Sequence, residues 1–161
     1  MAIPAYLWLK DDGGADIKGS VDVNKREGSI EVVGFTHNLN IPTDNATGKL
    51  TGTRQHAAMV IEKEFDSSSP YLYKAVATGQ TLHSAEIKWY RINDAGQEVE
   101  YFNMMLEGVK VVSITPIMHD IKNVPGTGHM ESIQLRYAKI TWKYCDGNVV
   151  FADAWNERAV G

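Results

Sequence analysis

The sequence predicts an all-β domain, mainly β with one short α-helix. The expected form is a closed or nearly closed β-barrel of two sheets, with a flanking helix and an extended loop. Three observations carry this. Apolar and polar residues alternate over most of the chain at the period of two that half-buried strands require. Clusters of Gly, Asn and Asp separate these runs at the spacing of sandwiches and barrels. One stretch alone, residues 66–79, repeats its apolar residues at helical spacing.

Length and composition set the bounds. A chain of 161 residues is the size of one domain, spanning 1–161, and supports a single sizeable core. Apolar residues make up 43% and charged residues 22%, ordinary values for a soluble globular chain. A net charge of −4 and the lack of any lysine–arginine run argue against nucleic acid, which needs a concentrated basic patch. Cys145, the one cysteine, excludes an internal disulfide and a cysteine-rich zinc site. The start, MAIPAYLWLKDDGGAD, has no basic n-region and its apolar stretch stops at Lys10, so no secretory signal is read there. No apolar run approaches the roughly 20 residues of a membrane helix, and no membrane insertion is expected. Synthesis in the cytoplasm follows, with any export by another route.

Taken in order, residues 3–9 form the first strand, with Tyr6 and Trp8 on one face and Ala5, Leu7 and Leu9 on the other. Apolar residues on both faces call for a cover on each. DDGGAD ends the strand, residues 17–23 read as a second short one, and 24–28 as a turn. In the strand over 29–38 the apolar phase shifts at Val32-Val33, the mark of a bulge or a doubly buried segment. After residues 43–56, Met59, Ile61 and Phe65 share one face against Glu62 and Glu64. The helix, about 69–78, starts with Ser69 as its cap and Pro70 in its first turn. It presents Leu72, Ala75 and Val76, and stops at Gly79. At two or three turns it depends on docking.

Residues 82–92 alternate Ala85, Ile87 and Trp89 against Glu86, Lys88 and Tyr90. Asn93-Asp94-Ala95-Gly96 turns the chain into 97–106, which carries Phe102, Met104 and Leu106 on one face. Gly108 punctuates, and a long strand follows in which Pro116 belongs at a sheet edge or bulge. NVPGTGH is a loop. Residues 131–144 read as the longest strand, switching phase near Tyr137-Ala138. Asp146-Gly147 signals a two-residue hairpin into 149–155.

The segment 43–56, TDNATGKLTGTRQH, stands apart. Leu50 is its one large aliphatic residue, so it cannot bury enough apolar surface to fold on itself. Unstructured connections of this length are uncommon in compact domains and tend to be functional or disordered. It resembles a phosphate loop only superficially, because Leu50 follows Gly48-Lys49, the upstream glycine is missing and no helix comes after. The reading is an arm that leaves the barrel to hold a second copy of the chain.

Catalytic and metal motifs fail in turn. His37, His56, His83, His119 and His129 form no H-E-x-x-H and no four-residue helical pair. His129-Met130-Glu131 lacks the P-C-x-x-C half of a deaminase site, and Ser67–Ser69 lack a nucleophile elbow. The chain is therefore expected to be no enzyme, with no cofactor and no metal. Aromatic residues mostly belong to the core, but the apolar positions on both strand faces exceed what one interior needs. That surplus points to an extended interface between subunits.

These residues resemble the Hcp family, the tube protein of bacterial type VI secretion. The resemblance rests on MAIPAYLWLKDDGGADIKGSVDV, on SSSPYLYKAVATGQTLHSAEIKWYRINDAGQEVEYF, on MHDI and on the terminal WNERA. It implies a β-barrel with a helix on its flank, assembled as homohexameric rings that stack into a hollow tube inside a contractile sheath. Sheath contraction expels the tube, which accounts for release and delivery to target cells without a signal peptide. Implied partners are the chain itself, sheath and baseplate proteins, the VgrG spike, and effector proteins carried in the lumen. With WNERA so near the end of the sequence, the fused toxin that some members carry is not expected here.

Closed rings of head-to-tail subunits need two different surfaces per copy, which suits the surplus apolar faces. Strand-end turns supply the stacking faces, so Asn24, Gly48, Ala95 and Gly96 are expected near ring–ring contacts. In the arm, Leu50 is the expected anchor, with Asp44, Lys49 and Arg54 as polar contacts. The alternative is a monomeric barrel holding a small apolar ligand, as lipocalins do. Such carriers usually have a signal peptide and often disulfides, and neither is seen here.

Overall fold

A computed structural model of the chain describes residues 3–123, 125, 126 and 128–156. Val124 and Thr127 of the NVPGTGH loop reading and residues 157–159 of the WNERA segment thus fall outside the described residues. The elements run β1 (Ala5–Lys10), β2 (Asp16–Ile17), β3 (Ile30–Val32), β4 (Gly34–Thr36), β5 (Leu39–Asn40), β6 (Gln55–His56), β7 (Met59–Glu64), α1 (Ser69–Thr78), β8 (Thr81–Ile92), β9 (Glu98–Ile117), β10 (Met130–Arg136), β11 (Lys139–Tyr144) and β12 (Val149–Ala154). The fold is β-rich with one short helix, as the alternation predicts.

One antiparallel sheet runs β2-β1-β8-β9-β10-β7-β4, with β11 and β12 attached to β9 and β3 to β1. The phase shift at Val32-Val33 marks a change of partner. Residues 30–32 pair with β1, while 34–36 pair with β7 at the far end of the sheet. The Val33 N–H donates to the Glu62 carbonyl at 2.8 Å between them. This one kinked stretch bridges the two sheet ends, which makes the barrel nearly closed. Leu7, Ile30, Ile61, Leu106 and Ile133 fill it, each fully buried.

Strand β9 organises the rest. One edge pairs with β8 from Glu98 to Lys110. The other pairs with β11 over 102–107 and then with β10 over 110–117. The predicted single strand over 131–144 is therefore two, broken at Tyr137-Ala138 where the phase switches. Gly108 makes the break: at φ 62° it brings its backbone so close that a Cβ there would sit 2.9 Å from the Ala138 methyl. Pro116 lies beyond the β8 pairing, with β10 its single ladder neighbour, as its missing donor requires.

Four expectations need correction. The strand read over 17–23 stops at Ile17. Residues 18–28 instead close a loop through Gly19 N–H to Gly28 O and Gly28 N–H to Val21 O. That loop is the second cover of β1, placing the Arg26 guanidinium 5.1 Å from the Tyr6 ring centre and 3.8 Å from that of Tyr90. In β7 the third inward residue is Lys63, not Phe65, which lies past the strand and is exposed. The β11–β12 ladder ends at Tyr144↔Val149, so Cys145–Asn148 form a four-residue connection. Finally, Ser68 holds the helix cap position while the Asp66 carboxylate accepts the Ser68 N–H at 2.9 Å. Ser69 turns inward instead. Helix α1 buries Leu72 and Ala75 beside β9 and ends on Gly79 at φ 67°.

Candidate functional site

The arm is an ordered hairpin rather than an unstructured excursion. Its legs pair as β5 and β6, with Leu39 opposite His56. Farther out the Thr51 N–H donates to Pro42 O, and the Asp44 N–H to Lys49 O. Asp44 builds the tip, its carboxylate accepting the N–H groups of Ala46 (2.7 Å) and Thr47 (3.0 Å). Those bonds hold the Asp44 carboxyl below the usual carboxylate range. Gly48 closes the turn at φ 74°. Local side-chain-to-backbone bonding thus supplies the order that apolar burial could not. Leu50 stays 67% exposed at the tip, a large aliphatic group with no cover from its own chain.

The base of the arm is fastened to the body. Both legs grip Tyr137, at the break between β10 and β11: its hydroxyl lies 2.8 Å from His37 Nε2 and 2.7 Å from His56 Nδ1. The other ring nitrogen of His56 meets Asp153 Oδ2 at 2.7 Å. Arg54 spans both Asp153 oxygens at 3.0 Å and also donates to Ala154 O. Hydrogen bonding from Arg54, then from His56, holds the Asp153 carboxyl low, whereas burial pushes the Tyr137 phenol well up. Linked from leg to body by hydrogen bonds at each step, this chain of groups ties the arm down.

The predicted contact residues therefore separate. Asp44, Gly48, Lys49 and Leu50 share the arm tip, while Arg54 is engaged at its base by Asp153. Ala95 and Gly96 form the exposed tip of the β8–β9 hairpin, whose Asn93 carboxamide accepts the Ala95 and Gln97 N–H groups. Asn24 lies in the 18–28 loop, joined to that hairpin through Arg26 and Glu98 at 2.6 Å. Exposed apolar residues gather at both ends of β9. Val149, Val150 and Phe151 flank its start through β11, and Ile117, Met118 and Ile121 lie at and just past its end.

A model of the family described as "Type VI secretion system effector, Hcp" matches residues 6–144. The chain belongs to the Hcp family. It is 35% identical over 173 residues to the "Major exported protein" of Pseudomonas aeruginosa, covering 100% of both chains. It also resembles the solved Hcp1 protein of E. coli EAEC 042 (69% identity, TM-score 0.88, covering 96% of this chain and 99% of that one). The secreted protein Hcp3 of Pseudomonas aeruginosa follows, at 29% identity and TM-score 0.78, covering 97% and 100%. Hcp proteins are structural components of type VI secretion, not an enzyme family.

Sequence reasoning missed two groups of this Hcp chain. Lys63 and Glu131 sit directly opposite one another on β7 and β10, both fully buried. Each interrupts the inward apolar phase of its strand, and that matched pair of interruptions was the available signal. Tyr137 and Asp153 gave none, because their partners come from the far side of the arm.

Proposed function

We propose that this chain is the inner-tube subunit of a type VI secretion system. It forms hexameric rings that stack into a hollow tube, which sheath contraction propels outward with effectors in its lumen. Membership of the Hcp family supports this, and the single structural observation that carries it is the gathering of exposed apolar residues at both ends of β9. Heterologous, head-to-tail rings need two different surfaces on each copy. Val149, Val150 and Phe151 at one end and Ile117, Met118 and Ile121 at the other meet that need. The arm tip and the Asn24 and Ala95–Gly96 turns are then contacts between rings. Each is weak alone and strong when repeated around the ring. Sheath, baseplate and VgrG spike are the assembly partners on this reading, and release needs no signal peptide.

Size-exclusion chromatography with negative-stain microscopy tests the ring. Six-membered rings are expected, and a monodisperse monomer at high concentration overturns the reading. Deleting residues 45–53 should leave rings or monomers folded but abolish stacked tubes. Normal tubes from that deletion remove the arm from the contact.

A further inference from the structure

His37 enters the arm, His56 leaves it, and both meet one phenol that belongs to the body. The hydrogens in this chain of groups can be placed one by one. Asp153, held ionised chiefly by Arg54, only accepts, so His56 Nε2 always carries a proton toward it. With His56 neutral, its Nδ1 accepts from the Tyr137 hydroxyl, and the Tyr137 oxygen accepts from His37 Nε2–H. With one proton added at His56, Nδ1–H donates to the Tyr137 oxygen, and the hydroxyl turns to a lone pair on His37 Nε2. Every hydrogen lying between these four side chains has an acceptor in both states.

A second proton changes that. His37 Nε2–H and His56 Nδ1–H then both point at one oxygen, and the Tyr137 O–H has no acceptor left in the chain. The surroundings oppose that charge further. Arg136 donates to the His56 carbonyl at 3.2 Å, and Arg54 sits on the far side of Asp153, so Asp153 is the single anion among these groups. Trp142 and Trp155 pack on the His56 ring and exclude water from it.

We propose that the His37–Tyr137–His56–Asp153 chain is a proton-operated latch on the base of the arm, closed with none or one added proton and opened by the second. The sign follows from His37. Its pKa is lowered, first by burial and then by His56, so the closed latch favours neutral His37. An opened arm returns His37 to its ordinary value of about 6.5. Below that value the open form binds more protons than the closed one, so acid shifts the balance toward opening. The latch does not rest on the tube reading, because it acts within one copy.

Hydrogen exchange on the full chain, corrected for intrinsic rates, tests it between about pH 7.5 and pH 4.5. The Ala57 amide, bonded to Asn38 O, and those of β5 and β6 report the arm base. Their protection should fall by up to about ten-fold per pH unit below the onset, while β8 and β9 keep theirs. His37→Gln retains an amide facing Tyr137 but cannot charge, so it should stay protected and lose the acid dependence. Unchanged protection across the range overturns the latch, as does an equal acid response in His37→Gln. Histidine ring NMR titration gives a second reading: His37 must titrate below its ordinary value of about 6.5, and a value at or above it overturns the latch.

Discussion

The chain ties two short appendages to its barrel, and it uses opposite chemistry for each. At the helix end, Lys63 Nζ donates to Glu131 Oε1, to the Glu64 carbonyl at 3.0 Å and to Ser69 Oγ at 3.3 Å, with Asp66 Oδ1 at 3.1 Å. At the arm end, two imidazoles share a phenol and a carboxylate. The helix cluster pairs a lysine with two carboxyl groups inside the barrel wall and contains no histidine. The arm chain is built around the one side chain whose unperturbed pKa falls near neutrality. The difference teaches what each joint is for. A ten-residue helix needs one fixed seat, whereas a hairpin that reaches outward is given a joint sensitive to its surroundings.

Breaking the helix cluster should have the largest effect. Lys63→Met leaves Glu131 charged and buried without its cation, which costs about 3–5 kcal/mol. The double variant Lys63→Met, Glu131→Leu replaces both charges by apolar groups and should recover most of that loss. Urea unfolding of the three proteins measures it. A double variant as unstable as the single one would show that Asp66 and Ser69, rather than the pair itself, hold the seat.

The same comparison sharpens through the helix's apolar face. Leu72→Ala removes a fully buried side chain and should cost about 2–5 kcal/mol by urea unfolding. The arm counterpart is Tyr137→Phe, which deprives His37 and His56 of their shared partner. Its cost of about 1–3 kcal/mol should appear as local opening of the arm, with the barrel's exchange protection intact. If Tyr137→Phe instead lowered global stability as much as Leu72→Ala, the arm would be part of the core and not an appendage.

The alternation read from the sequence located the β-rich fold, the Asn93–Gly96 turn and the helix with its Gly79 stop, because each depends on neighbours within a few residues. The two joints were not legible for the converse reason. Lys63 looks like an ordinary strand lysine until β10 places Glu131 across from it, and Tyr137 looks like core until both arm legs arrive. The order of the arm is not legible in its apolar content, because it comes from the turn-forming Asp44. Arg54 reads from the sequence as a contact to another copy, and its bond to Asp153 of its own chain is a feature only the fold reveals.

Arg54 also supplies the smallest expected effect. Its fork reaches both Asp153 oxygens and the Ala154 carbonyl, a pattern that a lysine ammonium cannot reproduce. Arg54→Lys keeps the charge, and the site is partly open to water, so the loss should be about 1 kcal/mol or less. The more telling readout is the Asp153 carboxyl, followed by carbon NMR. Its pKa lies below the ordinary value, so the stability it supplies is complete above about pH 3.9 and disappears as pH falls through the native value. In Arg54→Lys that native value should rise toward the ordinary one, narrowing the window, while the bond from His56 Nε2 persists. The acid onset of arm opening should then remain where His37 sets it. An onset that moved together with the Asp153 titration would assign the latch to the carboxylate and not to the pair of histidines.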